Sequence, residues 1–158
     1  MIIVRIHTLE RTIIVAASLE ACWSFFSDAR NLSRLTPPEL GLEITSELPP
    51  VIYPGLMIQY RVRPVAGIPL TWLTEITHVR EGHSFVDEQR TGPYRIWHHE
   101  HTFADAGGGM VTMHDKVTYA LPFWPLGEVA HPLLVAPQLR RIFAFREEAV
   151  RRVFPGGS

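Results

Sequence analysis

The sequence contains very little cysteine. Cys22 is the one thiol in 158 residues, so no disulfide can form within the chain and no oxidising compartment is required. This thiol lies in an apolar run from Ala21 to Phe26. We therefore expect a buried, unreactive cysteine rather than a catalytic one.

The sequence also lacks a long hydrophobic run. A membrane-spanning helix needs about 18 apolar residues or more. The stretch that comes nearest, residues 121–139, contains four prolines together with Glu128 and His131. Near the start, Arg5 and His7 interrupt the apolar segment that a signal peptide would continue. These absences predict a cytoplasmic protein without stable membrane insertion.

An excess of basic charge is absent as well. The formal net charge is -1 and the pI is about 6.7, whereas nucleic-acid-binding domains usually carry a strong basic excess. We therefore expect no nucleic-acid partner. Hydrophobic residues make up 46% of the chain, which excludes disorder and indicates a packed core. At this length, residues 1–158 are expected to form a single domain.

Glycines and prolines separate the apolar runs and so divide the chain into elements. A first strand is predicted over residues 3–15. Ser18 can cap a helix that follows it, and a second short helix at 31–35 ends before Pro37. Alternating patterns then predict six further strands, at residues 40–44, 57–63, 70–78, 85–90, 94–103 and 110–121.

The C-terminal part has helical periodicity. Apolar residues from Leu139 to Val153 recur at helical spacing and predict a long helix. Pro137 suits its first turn, and Pro132 predicts an irregular lead-in over residues 127–136. Short turns between the strands imply an antiparallel meander. Seven strands with helices gathered on one face form an α+β fold.

Five strings carry a family resemblance. They cover residues 25–32, 35–38, 85–89, 92–103 and 142–143, and they read FFSDARNL, LTPP, FVDEQ, GPYRIWHHEHTF and IF. Together they resemble the START-like, or SRPBCC, superfamily, in the branch of bacterial ligand-binding proteins related to polyketide cyclases and dehydrases. The resemblance implies the helix-grip fold, in which a seven-stranded curved antiparallel sheet surrounds a long C-terminal helix and two short helices follow the first strand. It also implies an internal pocket, without specifying an activity.

Polar side chains cluster on one predicted face of three neighbouring strands. Side chains alternate along a strand, so Trp97 and Phe103 assign the residues between them at every second position to the inner face. A large apolar residue marks the inner face of the strands on either side in the same way. The polar residues that this argument directs into the pocket are Asp87, Gln89, His99, His101 and Asp115.

Further pocket residues are expected around this cluster. They are mostly aromatic and share the inner faces of their strands: Tyr60, Trp72, Thr74, Trp97 and Tyr119. For each of them, plain core packing is the alternative. Arg146 lies on the apolar stripe of the last helix, where it either pairs with Asp87 or Asp115 or covers apolar surface. For residues 123–126, which precede the helix, plain packing at its entrance is the leading expectation, and the alternatives are a lid, a partner contact or a membrane-touching patch.

Three chemical interpretations of the cluster are open. The first is a satisfied polar network that fixes strand register and orients a ligand. The second is acid–base catalysis, in which His99 or His101 moves a proton and Asp87 or Asp115 orients the imidazole. The third is a metal site, because a His-x-His pair places two imidazoles about 7 Å apart at their Cα atoms, with Asp87 or Asp115 as a third ligand. No additional ligand motif supports an ion, so the sequence predicts no metal and no cofactor.

Three functions remain open at this stage. The chain binds a small hydrophobic or aromatic molecule, lipid-like or polyketide-like, as a carrier, sensor or accessory protein. Alternatively, it is a cyclase, dehydratase or hydrolase that uses the His/Asp cluster. A third hypothesis is a protein-interaction module without a ligand, and a homodimer is compatible with each of the three.

Overall fold

The computed structural model describes residues 3–156. Its strands are β1 (His7–Val15), β2 (Glu43–Ile44), β3 (Leu56–Val65), β4 (Ile68–Arg80), β5 (Ser84–Thr91), β6 (Ile96–Gly107) and β7 (Met110–Ala120). Its helices are α1 (Leu19–Phe26), α2 (Leu126–Ala130) and α3 (Ala136–Val153), with 3-10 turns at Ala29–Arg34 and Pro38–Leu40 and a π-helical turn at His131–Val135. Within this described range, no helix is both long and apolar enough to cross a bilayer.

The seven strands form one antiparallel sheet in the order β1-β7-β6-β5-β4-β3-β2. Strands β2 to β7 follow one another as a meander, and β1 pairs with β7 at the far edge. The predicted α+β architecture, with a long C-terminal helix and short helices after the first strand, is confirmed. Register shifts lie between β3 and β4, between β4 and β5, and near the tip of β6 and β7. Such bulges bend the strands that carry them.

Turn chemistry explains most of the strand boundaries. The turn predicted at 64–69 is shorter in the structure, where only Ala66 and Gly67 join β3 to β4. Both residues have positive φ angles, 49° and 72°, as a tight hairpin turn requires. Gly107 to Gly109 form the tip of the hairpin between β6 and β7, and they too have positive φ angles. The first strand begins at His7 rather than at residue 3, and the strand predicted over 40–44 is reduced to Glu43–Ile44.

The first helix is specified locally. The Ser18 side chain accepts a hydrogen bond from the Ala21 backbone N–H at 3.1 Å, as expected for an N-cap. The inner face of α1 buries Cys22, Phe25 and Phe26 in the core beside β6 and β7. Burial raises the pKa of the Cys22 thiol to about 12, so the thiol stays protonated and unreactive, as expected.

The C-terminal helical region is interrupted but does not break. The predicted irregular segment consists of α2 and the π-helical turn, in which the Ala136 N–H donates to the His131 carbonyl five residues earlier. This wider turn accommodates Pro132, which lacks an N–H to continue the helical ladder. From Ala136 onward, α3 presents one buried stripe to the concave face of the sheet: Ala136, Leu139, Phe143, Arg146, Ala149 and Val150.

Candidate binding cavity

A cavity of about 430 Å³ lies between the concave face of the sheet and α3. Alternate residues of β3 and β4, namely Ile58, Tyr60, Val62, Trp72, Thr74 and Ile76, form one wall. Leu139, Ile142 and Phe143 of α3 lie opposite. The two 3-10 turns contribute Leu32 and Leu40, and Leu35 follows directly after the first turn. Most of the lining is apolar. Charged side chains cluster at one end, formed by β5, β6 and Arg146, and Asp28 before the first 3-10 turn also contributes to the lining.

Strand register brings the charged residues together. On antiparallel strands, directly opposed residues point to the same face. Asp87 of β5 is opposite His99 of β6, and His101 of β6 is opposite Asp115 of β7. The two imidazoles are two residues apart on one strand, and their ring centroids are 3.8 Å from each other. The cluster therefore spans three adjacent strands on the concave face.

His101 lies between the two carboxylates. Its Nε2 is 2.8 Å from Asp87 Oδ2 and its Nδ1 is 2.8 Å from Asp115 Oδ1. The ring also stacks on Phe85, with the centroids 4.1 Å apart. Both ring nitrogens are positioned to donate, which is the arrangement of a protonated imidazole.

His99 faces the same two carboxylates at slightly longer distances. Its Nε2 is 3.3 Å from Asp115 Oδ1 and its Nδ1 is 3.5 Å from Asp87 Oδ2. Each carboxylate therefore touches both imidazoles. Asp115 Oδ1 contacts one nitrogen of each ring, and Asp87 Oδ2 contacts the other nitrogen of each ring.

Arg146 connects this cluster to the helix. Its Nε donates to Asp115 Oδ2 at 3.0 Å, and its Nη2 lies 3.4 Å from His101 Nδ1. The guanidinium also lies over the Phe26 ring, 5.4 Å from the centroid. Of the two alternatives for Arg146, the structure therefore has the inward one, with Asp115 as its carboxylate partner.

The charges in the cluster balance. Burial opposes ionisation of Asp115, but the Arg146 guanidinium and the hydrogen bonds of both imidazoles hold its pKa well below the usual value. Burial likewise opposes ionisation of Asp87, yet His99, His101 and Arg146 lower its pKa. Two carboxylates and two cations, Arg146 and a protonated His101, then give no net charge, which reduces the cost of burying them.

The pKa values of the two imidazoles are shifted in opposite directions. Burial acts to lower the pKa of His101, but its hydrogen bonds to Asp115 and Asp87 outweigh burial and raise it. Burial and the charge of His101 lower the pKa of His99. The surroundings therefore favour the charged form of His101 and the neutral form of His99, although both rings occupy the same strand face.

Eight of the eleven residues predicted for the pocket line the cavity: Tyr60, Trp72, Thr74, Asp87, Trp97, His99, His101 and Arg146. Asp115 is buried behind the two histidines, so it belongs to the cluster without lining the cavity. Tyr119 also lies elsewhere. It is buried under the π-helical turn, with its hydroxyl 2.8 Å from His131 Nε2.

Gln89 is the third predicted residue outside the lining. Its side chain bonds the backbone of the connection between β5 and β6. The amide donates to the Tyr94 carbonyl at 2.6 Å, and its oxygen accepts from the Tyr94 N–H at 3.2 Å. This local closure also explains why β6 begins at Ile96 and not at residue 94. Alternation predicted the face of Gln89 but not this backbone partner.

The apolar lining of β3 and α3 was not among the predicted pocket residues, although the signal was present. Ile58 and Val62 alternate with Tyr60 along β3, and Leu139 and Phe143 share the stripe that contains Arg146. The same periodicities that selected the polar residues therefore indicate these four. The lining contributed by the 3-10 turns has no comparable pattern in the sequence.

The segment before the helix is not packed as expected. Phe123 and Leu126 are 81% and 74% exposed, although Phe123 also contributes to the cavity lining. Val129, Leu133 and Leu134 are exposed beside them. The expectation of packing for residues 123–126 is therefore wrong: these residues border the mouth of the cavity.

The element order, sheet topology and cavity define a helix-grip fold, and the START-like resemblance seen in the sequence is confirmed at the level of the fold. No protein-family model matches the chain, and no curated protein matches it significantly. Solved structures do match over nearly the whole length.

Three of these structures illustrate the similarity. Norcoclaurine synthase from Thalictrum flavum is 16% identical with a TM-score of 0.69, and the match covers 98% of each chain. A START superfamily protein from Mycobacterium smegmatis is 16% identical with a TM-score of 0.67, covering 93% of this chain and 99% of that one. The Zhui aromatase/cyclase from a Streptomyces species is 19% identical with a TM-score of 0.67, covering 98% and 100%. At such low identity the similarity shows the fold alone.

Proposed function

We propose that the protein binds a small, largely apolar molecule in the cavity beneath α3, with a polar group of that molecule directed at the charged end. The observation that carries this proposal is the composition of the cavity: apolar walls enclosing about 430 Å³ with charge at one end. Small-molecule sites typically measure about 300–1,000 Å³ and combine apolar walls with a few placed polar groups. The cavity has both properties.

Asp87 favours a ligand that carries a hydrogen-bond donor. Within residues 3–156, the hydrogen bonds and ion pairs of its carboxylate use Oδ2, and none uses Oδ1. An ionised carboxylate only accepts hydrogen bonds. A hydroxyl or amine on the ligand is therefore the complementary group, and its hydrogen bond offsets the desolvation of the carboxylate.

The aromatic walls favour an aromatic, lipid-like or polyketide-like ligand. Trp72, Tyr94 and Trp97 form a contiguous group, with Trp72 and Trp97 packed edge to face at 5.3 Å. Flat apolar molecules pack well against such rings. Among proteins with this fold, norcoclaurine synthase has been solved in complex with dopamine and hydroxybenzaldehyde, which are aromatic molecules with hydroxyl groups.

Ligand binding of this kind fits the role of a carrier, a sensor or an accessory protein. The proposal treats residues 1–158 as one domain and includes a cytoplasmic location and a possible homodimer. Size-exclusion chromatography with light scattering reports the oligomeric state directly.

Uptake of an apolar fluorescent probe tests the proposal. N-phenyl-1-naphthylamine is neutral, carries one N–H and fluoresces strongly when it leaves water. We expect saturable binding to the wild-type protein. Thr74→Trp places an indole in the cavity, because Thr74 lines it and is buried, and we expect this variant to lose most of the binding.

Thr71→Trp is the matched control. It makes the same substitution on the same strand, but Thr71 is exposed on the opposite face. We expect it to bind the probe like the wild type. Equal probe binding by folded Thr74→Trp and Thr71→Trp, each checked by thermal unfolding, contradicts binding in the cavity.

Acid–base catalysis is a second candidate, favoured by one observation. Asp87, His99 and His101 line the cavity and lie within hydrogen-bonding distance of one another or close to it, so a bound molecule contacts paired acid and base groups. Native mass spectrometry of the protein incubated with a hydroxylated polyketide-like compound separates the two candidates. Release of the compound with the mass of one water lost favours a dehydratase, and release unchanged favours binding alone.

A further inference from the structure

We propose that His99, His101 and Asp87 form a binding site for a divalent transition-metal ion of the zinc class. The three side chains present one ligand atom each, and these atoms all lie within 4.8 Å of one another. The inference does not rest on ligand uptake, because ion binding and binding of an apolar probe are measured independently.

Three donor atoms converge in this cluster. His101 Nε2 and His99 Nδ1 lie 2.8 Å and 3.5 Å from the same atom, Asp87 Oδ2. Two ligands bound to zinc at about 2.1 Å lie roughly 3.0–3.4 Å apart at ordinary bond angles. The two separations from Asp87 lie on either side of that range, and no pair of the three donor atoms is more than 4.8 Å apart, so side-chain rotations can bring all three atoms onto one ion.

The ring nitrogens that point away from Asp87 share one partner. His101 Nδ1 and His99 Nε2 both face Asp115 Oδ1, at 2.8 Å and 3.3 Å. A metal-binding histidine usually donates its remaining N–H to a carboxylate, which fixes the tautomer and orients the ring. One carboxylate supplies this contact for both rings, and Arg146 Nε holds that carboxylate at 3.0 Å.

The lone pair of His99 also favours an ion here. If its proton lies on Nε2 and bonds Asp115, the Nδ1 lone pair points toward the Asp87 carboxylate. Two acceptors that face each other repel. An ion bound to His99 Nδ1, His101 Nε2 and Asp87 Oδ2 removes this repulsion. It also displaces the proton that His101 Nε2 donates to Asp87 Oδ2, so binding of the ion releases a proton.

The donor set selects the class of ion. Two imidazole nitrogens and one carboxylate oxygen suit zinc, and with open positions they also suit ferrous iron. Calcium and magnesium prefer sites built from oxygen. Because all three side chains line the cavity, the open positions of the ion face the space where a ligand would bind. A ligand oxygen can then reach the ion directly.

Cobalt and zinc titrations test the site. The untagged full-length protein is freed of metals with a chelator and titrated with Co²⁺, which gives a visible absorption spectrum when bound to nitrogen and oxygen ligands, and then with Zn²⁺. We expect one ion per chain and displacement of Co²⁺ by Zn²⁺. Loss of an outer-shell partner typically weakens binding 10- to 100-fold, so Asp87→Asn and His101→Gln should each weaken it at least about 100-fold.

His98→Gln is the matched control. His98 lies on the same strand but on the outer face, 2.6 Å from Glu88, so its removal should leave the affinity unchanged. Weak binding that does not depend on Asp87 or His101, or equal losses in all three variants, overturns the site. If Asp87→Asn and His101→Gln fail to fold, nitrogen NMR of the wild-type imidazoles shows which ring nitrogens bind the ion. Zinc should coordinate His99 Nδ1 and His101 Nε2, and coordination through other histidines contradicts the inference.

Discussion

At the scale of single residues, Asp115 is the group that contacts most of the charged cluster at the end of the cavity. One carboxylate on β7 contacts both histidines of β6 and the guanidinium of Arg146 on α3. It is buried, and its charge is compensated on every side. Removing one member of such a network is costly because the remaining charges stay buried without their partner.

We therefore expect Asp115→Asn to lower the free energy of unfolding by about 3 kcal/mol or more. The reason is that Arg146 loses its buried counter-charge while the protein around it is unchanged. Urea denaturation at pH 7 measures the difference. Glu43→Gln is the control, since it breaks an exposed ion pair with Arg61 and should cost less than about 1 kcal/mol. Similar small losses in both variants contradict the structural role of Asp115.

The sequence predicted the faces of these residues better than their partners. The alternation of side chains along each strand, together with aromatic residues on the inner face, is sufficient to predict that Asp87, His99 and His101 point inward. It does not reveal that Gln89 closes a local turn, because that contact depends on the path of the backbone after β5. For the same reason, it does not reveal that Tyr119 bonds His131, which is twelve residues away and in a helix.

At the scale of elements, the π-helical turn joins the cavity mouth to the edge of the sheet. His131 stacks on His7 of β1, with the centroids 3.7 Å apart, and His7 in turn bonds Glu128 of α2 at 3.0 Å. Two prolines and helical periodicity in the sequence predicted an interruption here. They did not predict its geometry, because the choice of a wider turn depends on the side chains packed against it.

This turn should become less stable as the pH falls. Burial and the nearby charges of His7, Arg5 and Arg140 lower the pKa of His131, and Glu128 opposes them only in part. Below about pH 6.5, the usual pKa of histidine, the unfolded chain takes up a proton at this residue that the folded chain resists. The contribution of His131 to the free energy of unfolding is therefore fully present above that pH and decreases below it.

We expect His131→Gln to reduce the loss of stability between pH 7.5 and pH 5.5, measured by urea unfolding at both values. His78→Gln is the control, because His78 is exposed on β4 and makes only a local contact with Thr77. It should leave the pH dependence as in the wild type. An unchanged pH dependence in His131→Gln shows that the turn does not respond to this histidine.

At the scale of the whole molecule, local patterns account for the meander from β2 to β7. From β3 to β7 each strand is joined to the next by a short connection, so the antiparallel pairing follows from the turns, whereas residues 45–55 form a longer connection between β2 and β3. The pairing of β1 with β7 is different, because nothing local joins strands about a hundred residues apart. The family resemblance implied the curved sheet around a helix, and the structure confirms that arrangement.

The cavity is also a property of the whole molecule. Its walls come from most of the sheet, from the last helix and from the two 3-10 turns, so its volume cannot be derived from any one element. Ligand binding to such a folded state stabilises it by about 2.7 kcal/mol when the free ligand is at 100 times its dissociation constant. Stability and occupancy are therefore linked.

The most direct test of the central claim is a crystal structure of the protein with 1-naphthol, a flat apolar molecule with one hydroxyl. We expect the rings to lie between Trp72, Trp97 and Phe143. The hydroxyl oxygen should lie within about 2.5–3.0 Å of a carboxylate oxygen of Asp87, the usual range for such a hydrogen bond. Naphthol bound only on the exposed surface around Phe123, with the interior filled by side chains, contradicts it.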